Sequence, residues 1–441
     1  MKAIHPSDRS AATIQDLISS ATSDVLFVGD AGVEIQIQDD FLLRMSRVLT
    51  EWRAGMVYSD SVDLPRVDYQ FGSIRDDFEF GPLVALSVPV ARRAYLDHGP
   101  PEADLRWGAL YDLRLKLSID HPIVRIPEPL YRAVDSDPRT AGERQFDYVD
   151  ASNREYQLEM EGIATGHLRR IGGHLESIAL RTSPSVESFP VTASVVIPVL
   201  NRETTLSDAL GSALDQEADF TFNVIVVDNH STDSTGRIVD GIEDERLIHL
   251  IPERTDLGIG GCWNEAIYYP GCGRFAVQLD SDDLFSGSDV LARVVSEMDQ
   301  QRYAMLVGSY TTVDFSLRPT LPGLVDHSEW TRRNGPNNAL RVNGFGAPRA
   351  YDVRVARRFG FPNVSYGEDY AMGLRMCREY EIGRIFESLY YCRRWEGNSD
   401  SAPSRELLNR YNTYKDWVRT NELLARVALQ RENSRTDQPN S

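Results

Sequence analysis

Cysteine is scarce in this chain of 441 residues, and the four present (Cys262, Cys272, Cys377 and Cys392) are too scattered for a disulfide framework. No Cys/His spacing suggests zinc, so packed, reduced thiols are the expected state. Long apolar runs are missing too. No stretch approaches the roughly 18 apolar residues of a membrane-spanning helix, and the opening MKAIHPSDRS lacks the apolar core of a signal peptide. The expected location is therefore the cytoplasm, with peripheral membrane attachment and a homo-oligomer left open. Positive charge is also short: 47 basic against 66 acidic residues give a formal net charge of −19. Such a surface repels phosphate polyanions and argues against nucleic acid as a partner. Any anionic ligand must be held locally, by a metal, a helix N-terminus or a few arginines. What remains is 41% hydrophobic and 26% charged, a globular composition at a length that suggests two domains.

The Pro/Ser-rich segment 183–188 lies between a helical stretch and a new strand, so the predicted organisation is a first domain over 1–182, a linker over 183–191 and a second domain over 192–403. Ala193–Pro198 is a short apolar, β-branched run. A helix-period segment follows over Thr205–Leu214, and Phe222–Val227 again has a buried-strand pattern. This βαβ alternation predicts an α/β fold with a mostly parallel sheet and helices on both faces. A third strand is expected over Phe275–Leu279 and a helix over Asp289–Gln300. Apolar residues from Leu407 to Val418 recur at helical spacing and predict an amphipathic helix over 404–431. The polar, aperiodic 432–441 is expected to be a disordered tail.

The two domains share sequence. Gly108–Tyr131 aligns without a gap on Gly367–Tyr390, both tracts ending in I-x-R-I-x-E-x-L-Y, and Val90-Ala91-Arg92-Arg93 matches Val355-Ala356-Arg357-Arg358. Leu26–Gly32 takes the place of Val277–Asp283, which sets Gly29 and Ala31 against Asp280 and Asp282, and Ala109 and Leu110 against Glu368 and Asp369. The first half thus reads as a truncated copy stripped of its carboxylates. Nothing before residue 24 is long enough to match the strands that end near Asn201 and Asp228.

Four clusters in the second half converge on chemistry. Val196–Glu203 contains Pro198, Asn201 and Glu203 at a strand end, where open α/β sheets bind ligands. Val226–Asp233 places Asp228 and several hydroxyls at another strand end. Asp256–Gly261, with Gly258, is a Gly-rich turn leading to Asn264 that permits close backbone approach to a phosphate or sugar. Leu279–Asp283 sets three carboxylates at the mouth of a buried strand, a repulsion that a hard divalent cation bridging to a diphosphate would relieve.

Together these clusters resemble the family 2 glycosyltransferases, inverting enzymes with a Rossmann-like GT-A fold, over about residues 192–400. The resemblance implies a nucleotide-diphosphate sugar as donor, UDP-sugar favoured, and makes the first half a degenerate GT-A-like half-domain. It implies that Asp228 accepts from the base, commonly uracil, that Asn201 and Glu203 line the nucleotide pocket, and that Asp280 approaches the ribose and metal. Asp282 would ligate Mn²⁺ or Mg²⁺. Gly367-Glu368-Asp369 matches the family's acidic pair, whose Asp deprotonates the acceptor hydroxyl, with Glu368 beside it. Two positions depart from the family pattern. Trp263 stands where an Arg often precedes the Asn of the Gly-rich turn. Trp395 stands where a His that touches metal or diphosphate often precedes Asn398-Ser399. Arg393 and Arg394 could supply the missing cationic contact.

His230, with no second ligand at metal spacing, is expected to make a turn hydrogen bond. His327, Trp330, Arg332 and Arg333 fall where relatives build the acceptor site, and an ordinary packed loop is equally compatible. The leading expectation is a hexosyl-type glycosyltransferase acting on a saccharide or small-molecule hydroxyl. The alternatives are a non-catalytic sugar-nucleotide-binding scaffold and, without the G-x-G-T-R loop it normally has, a sugar nucleotidyltransferase.

Overall fold

The computed structural model describes residues 2–4, 8–133, 153–176, 180–184, 187–395 and 404–436. The chain forms two compact units, one of residues 1–175, 340–342 and 403–441, the other of 176–339 and 343–402. The division thus falls ahead of the expected 183–191 linker. The physical reason is that the Pro/Ser-rich strap is tied to the second unit: Thr182 donates its backbone N–H to the Arg302 carbonyl, and Arg354 donates to the Ser183 carbonyl.

The first unit begins with β1 (Lys2–Ile4), α1 (Ala11–Ser20), β2 (Val25–Asp30), β3 (Ile35–Ile37), α2 (Phe41–Glu51) and β4 (Met56–Ser61). It continues through β5 (Leu83–Ser87), α3 (Val88–His98), α4 (Ala109–Asp120), β6 (Ile123–Ala133) and α5 (Arg154–Ile171). Its six strands are ordered β1-β2-β5-β4-β6-β3. One face packs Ile14, Ile18, Ala91, Leu113 and Leu117 from α1, α3 and α4. The other packs Phe41, Met45, Val48 and Leu49 from α2. Covered on both sides, β4 is buried throughout and reads as a run without alternation.

The second unit opens with β7 (Ala193–Val199), α6 (Leu206–Leu214), β8 (Phe222–Asp228), α7 (Thr235–Asp240), β9 (Leu247–Leu250), α8 (Ile259–Tyr268) and β10 (Phe275–Gln278). Then come β11 (Leu284–Phe285), α9 (Val290–Gln301), β12 (Met305–Val313), β13 (Pro319–Val325) and α10 (Gly335–Asn338). β14 (Arg349–Asp352), α11 (Val353–Phe359), α12 (Glu368–Cys377) and β15 (Ile382–Arg393) complete it. The sheet order is β11-β15-β12-β14-β10-β7-β8-β9, with β13 paired to β12. Strands β9, β8, β7 and β10 are mutually parallel, as the βαβ alternation predicts. Beyond β10 the sheet turns mixed, because β14 runs antiparallel to both of its neighbours. The expected α/β class stands, with a mixed rather than mostly parallel sheet.

The last helix, α13 (Arg405–Thr436), belongs to the first unit and runs past the expected end at 431 into the expected tail. Residues 437–441 of that tail lie outside the described residues. No described helix is long and apolar enough to cross a membrane. None of the four cysteines is in a disulfide, and burial pushes the thiols of Cys262 and Cys272 up to about 11, so these two are not poised as thiolates.

The path β2-β5-β4-β6-β3 has the same pairing senses as β10-β14-β12-β15-β11, and both parallel pairs contain bulges. Met56 opposes Leu86 and Ile123 as Met305 opposes Tyr351 and Ile382. Leu86 in turn opposes Leu26, and Tyr351 opposes Ala276. Counting on from there sets Asp30, not Gly29, against Asp280, one residue off the sequence alignment. A carboxylate therefore does stand at that place in the first unit, and it is ion-paired with Arg9. Strand β1, parallel to β2, also occupies the place β7 has beside β10, so the region before residue 24 does supply one strand. Among the described residues the first unit has no counterpart of β8 or β9.

Candidate active site

Strands β7, β8 and β10 are adjacent and parallel, so the loops after Val199, Asp228 and Gln278 leave the same sheet edge. Asn201 takes a left-handed backbone, φ 53°, tolerated by Asn more than by most side chains. Its side-chain oxygen accepts from the Thr232 N–H at 2.8 Å, and Glu203 accepts from the Ser234 N–H at 2.9 Å. Both exposed residues thus brace the loop after β8. Pro198 lies within β7, opposite Val227. Asp228 is buried; one oxygen accepts from the Ser231 N–H at 2.8 Å and the other lies 3.4 Å from His249 Nε2. His249 also reaches Asp240 at 2.7 Å. Sequence reading missed it because a His inside a short strand carries no spacing signal. His230 makes the expected turn contact, its Nε2 2.9 Å from the Arg254 carbonyl.

The Gly-rich turn is closely approached by backbone of its own unit. A Cβ on Gly258 or Gly260 would strike the backbone of residues 362–365, which fills that space. Gly258 donates to the Asn363 side chain at 2.7 Å, Gly260 donates to the Val364 carbonyl at 3.0 Å, and Asn264 pairs through both ends of its amide with the Phe361 backbone. Trp263 stacks on Phe361, with centroids 5.3 Å apart. Gly258 and Asn264, expected at the cofactor, seat the loop that leads into Glu368 and Asp369.

At the mouth of β10, Gln278 donates its amide to both oxygens of Asp280 at 2.9 Å, and the Asp280 N–H donates to Tyr390 Oη at 2.9 Å. Asp283 is buried and accepts from the Arg393 N–H at 2.8 Å. Burial, then the mutual repulsion of the three acids, raises the Asp283 carboxyl well above its ordinary range; Asp280 is raised mainly by burial, with Arg349 opposing. Trp395 donates its indole N–H to Asp282 at 3.3 Å, so the residue in the usual His position touches the carboxylate instead. Asn398-Ser399 lies outside the described residues. Arg393, expected at the phosphate, is engaged within the fold. It is buried, and its guanidinium donates to the Asp282 carbonyl, to Asp208 at 2.7 Å and to the Thr205 carbonyl at 3.3 Å. Its cation holds the acidic loop against the start of α6. Arg394 closes β15 with a backbone bond to Val313 at 2.8 Å.

Glu368 and Asp369 begin α12 after Gly367, whose φ of 83° suits glycine. Asp369 Oδ2 lies 2.5 Å from Arg349 at the start of β14. Glu368 is buried, its Oε2 has no hydrogen-bond partner, and burial followed by the Asp369 charge pushes its carboxyl up to about 8. Below that pH it keeps a proton that an unfolded chain, with an ordinary Glu near 4.3, has already released. This group's contribution to stability therefore declines as pH rises from about 4 through 8. Glu368→Gln is expected to melt progressively higher than the wild type between pH 5 and pH 9. A constant offset across that range in thermal unfolding would contradict the assignment.

The residues suggested for an acceptor site are mostly engaged within the fold. His327 is buried with Nδ1 2.9 Å from Glu329, Trp330 packs on Phe345 and Arg384, and Arg332 pairs with Glu381 at 2.8 Å. Among the described residues no group of three or more His, Cys, Asp or Glu is arranged to enclose a metal.

Residues 194–358 match the model for glycosyl transferase family 2, so the resemblance read from the strand-end motifs holds over that segment. A stretch of 116 residues is 35% identical to the succinoglycan biosynthesis protein ExoO of Rhizobium meliloti (strain 1021), covering 26% of this chain and 32% of that protein. The chain thus matches about a third of the length of that relative. Among solved structures, S. aureus TarS with UDP-GlcNAc is 21% identical, with a TM-score of 0.39 over 53% of this chain and 72% of TarS. The mannosyltransferase PcManGT from Pyrobaculum calidifontis with GDP-Man and Mn²⁺ is 16% identical, with a TM-score of 0.38 over 66% of this chain and 87% of its own.

Proposed function

We propose, on the premise that residues 194–358 carry a family 2 glycosyltransferase domain, that the chain transfers a sugar with inversion. The donor would be a nucleotide-diphosphate sugar, a UDP-sugar by preference, and the acceptor a saccharide or small-molecule hydroxyl. The observation that carries the reading is the division of acids within one unit: Asp280 and Asp282 at the mouth of β10, and Asp369 at the start of α12, ion-paired to Arg349.

The acids suit a divalent cation. Two carboxylates, Asp280 and Asp282, lie beside a third, Asp283, whose protonation is favoured first by burial and then by their charge, an excess of negative potential that a cation relieves. Ions such as Mg²⁺ take one or two carboxylates and complete their shell with phosphate and water. Asp280 and Asp282 would hold the ion, which when bound neutralises the charge on the departing diphosphate. Asp228, at the end of β8, would face the base. Asp369 would accept the proton of the attacking hydroxyl, while Glu368, protonated at neutral pH, adds no second negative charge. A second reading, a binding protein without catalysis, leaves the buried Glu368 beside Asp369 unexplained. The matching strand order of the two sheets further supports reading the first unit as a duplicated, reduced copy of the second.

Thermal unfolding of the full chain with UDP, GDP and UDP-sugars, each with and without Mn²⁺ or Mg²⁺, tests the donor. A stabilisation by UDP that requires the metal and disappears in Asp282→Ala is expected, because a ligand raises stability with the logarithm of its saturation. No shift with any nucleotide diphosphate would overturn the reading.

A further inference from the structure

We infer that Arg349 is a positioning residue for the transfer, fixing the acid proposed as base and, through Gln278, the acid proposed for the donor side. The inference rests on the glycosyltransferase reading. Arg349 is the first residue of β14 and opposes Val307 of β12, so its strand lies between β12 and β10, the strand that delivers Asp280. Its guanidinium nitrogen bridges the Gly346 carbonyl at 3.0 Å and Asp369 at 2.5 Å, so the cation is tied to backbone on one side and to the carboxylate on the other. Its own N–H donates to the Gln278 side-chain oxygen at 3.2 Å, and the Gln278 amide in turn holds both oxygens of Asp280 at 2.9 Å.

One strand residue therefore sets a carboxylate directly with its side chain and another through the amide it orients. Both contacts leave one terminal nitrogen, Nη1, at the end of the long arginine side chain, a position that the ammonium of the shorter lysine does not reproduce. The rotamer of Asp369 is the quantity at stake, because a reacting group misplaced by about 1 Å loses on the order of 100-fold in rate. The backbone branch to Gln278 survives substitution of the side chain, so loss of the guanidinium should damage the acceptor side and spare donor binding.

The experiment compares the full-length wild type, Arg349→Ala, Arg349→Lys and Asp369→Asn. Stabilisation by UDP with Mn²⁺ reports folding and donor-site integrity, and UDP release from UDP-sugars, with water or added saccharide as acceptor, reports turnover. Arg349→Ala is expected to keep the UDP-dependent shift and the donor KM while kcat falls about 100-fold. Arg349→Lys should recover only part of the loss. Millimolar guanidinium should raise kcat of Arg349→Ala at least about tenfold and leave Asp369→Asn unchanged, a response that a merely structural role would not give. Wild-type kcat in Arg349→Ala, or a loss that guanidinium does not relieve, overturns the inference. Full activity in Asp369→Asn would instead overturn the base assignment on which it rests, whereas an inactive Asp369→Asn beside a fully active Arg349→Ala would sink the positioning role alone.

Discussion

Asp369→Asn is expected to lower the transfer rate between about 100- and 10,000-fold, the range that general-base catalysis contributes, while leaving nucleotide binding intact. The substitution is nearly isosteric, so the seat of α12 on the Gly-rich turn and the fold around it should persist. The missing capacity is to take a proton. Steady-state kinetics should show kcat and kcat/KM falling together with the donor KM little changed, the pattern of an interaction made only in the transition state. Glu368→Gln provides the contrast. The Glu368 carboxyl is pushed up to about 8 by burial and by its neighbour's charge, so at pH 7 it already resembles the amide, and most of the activity should survive. The reverse ranking, with Glu368→Gln inactive and Asp369→Asn active, would exchange the two roles. Two acids adjacent in sequence differ here because the fold buries one and pairs the other with Arg349.

The strand-end positions of Asn201, Asp228 and Asp280 were legible because β7, β8 and β10 are buried, β-branched runs whose ends are marked by the first polar residues. The acids at 368 and 369 were legible because their helix repeats the pattern of Gly108–Tyr131. The Gly-rich turn was legible as a place of close approach, but not what approaches; residues 362–365 do, and a hundred positions of separation leave no local signal. Arg393 failed for a related reason. Two adjacent arginines look alike in sequence, and only the register of β15 decides that 393 points into the protein, onto Asp208 and the carbonyls of Thr205 and Asp282. Arg349 carries no motif at all, and its role emerges only when β14 is inserted between β10 and β12.

The one-residue correction at Asp30 sharpens what the first unit lacks. Its sheet follows the strand order of the second, yet it stops at β1, with no described strand in the places of β8 and β9. Those are the strands whose ends would hold a nucleotide base. Where the second unit has Asp280 beside Asp282, the first has Asp30 followed by Gly32, with the Arg9 guanidinium against the remaining carboxylate. A covalently attached cation on a single acid offers a diphosphate neither a shared metal nor an open coordination site. On the proposed reading of this unit as a reduced copy, Ala109 and Leu110 in the places of Glu368 and Asp369 fit the same pattern, since a base without a donor site has nothing to act on.

Asp416→Ala carries the largest expected loss of stability. Asp416 is fully buried on α13 and accepts from Ser73 at 2.9 Å, Arg75 at 3.2 Å and Arg419 at 2.8 Å, all within the first unit. Gly72 lies so close to this helix that a Cβ would strike its backbone, and the Gly72 N–H donates to Thr420 at 2.9 Å. Removing the carboxylate takes the shared counter-charge from two buried guanidinium groups, of which Arg75 keeps Asp77 at 2.8 Å, and breaking a buried pair costs about 3–5 kcal/mol. Unfolding of the first unit should shift accordingly, and hydrogen exchange along α13 should rise. Asn421→Ala, a change at an exposed position one turn away, should stay within about 0.5 kcal/mol of wild type. Equal effects of the two substitutions would show that the helix is held by its apolar contacts, such as the buried Val418 and Leu423, and not by the charge cluster. The distinction bears on how the chain encodes this unit: hydrophobic periodicity alone locates an amphipathic helix, but Asp416, Arg419 and Arg426 lie on its buried side, where a pattern of apolar spacing counts them as breaks.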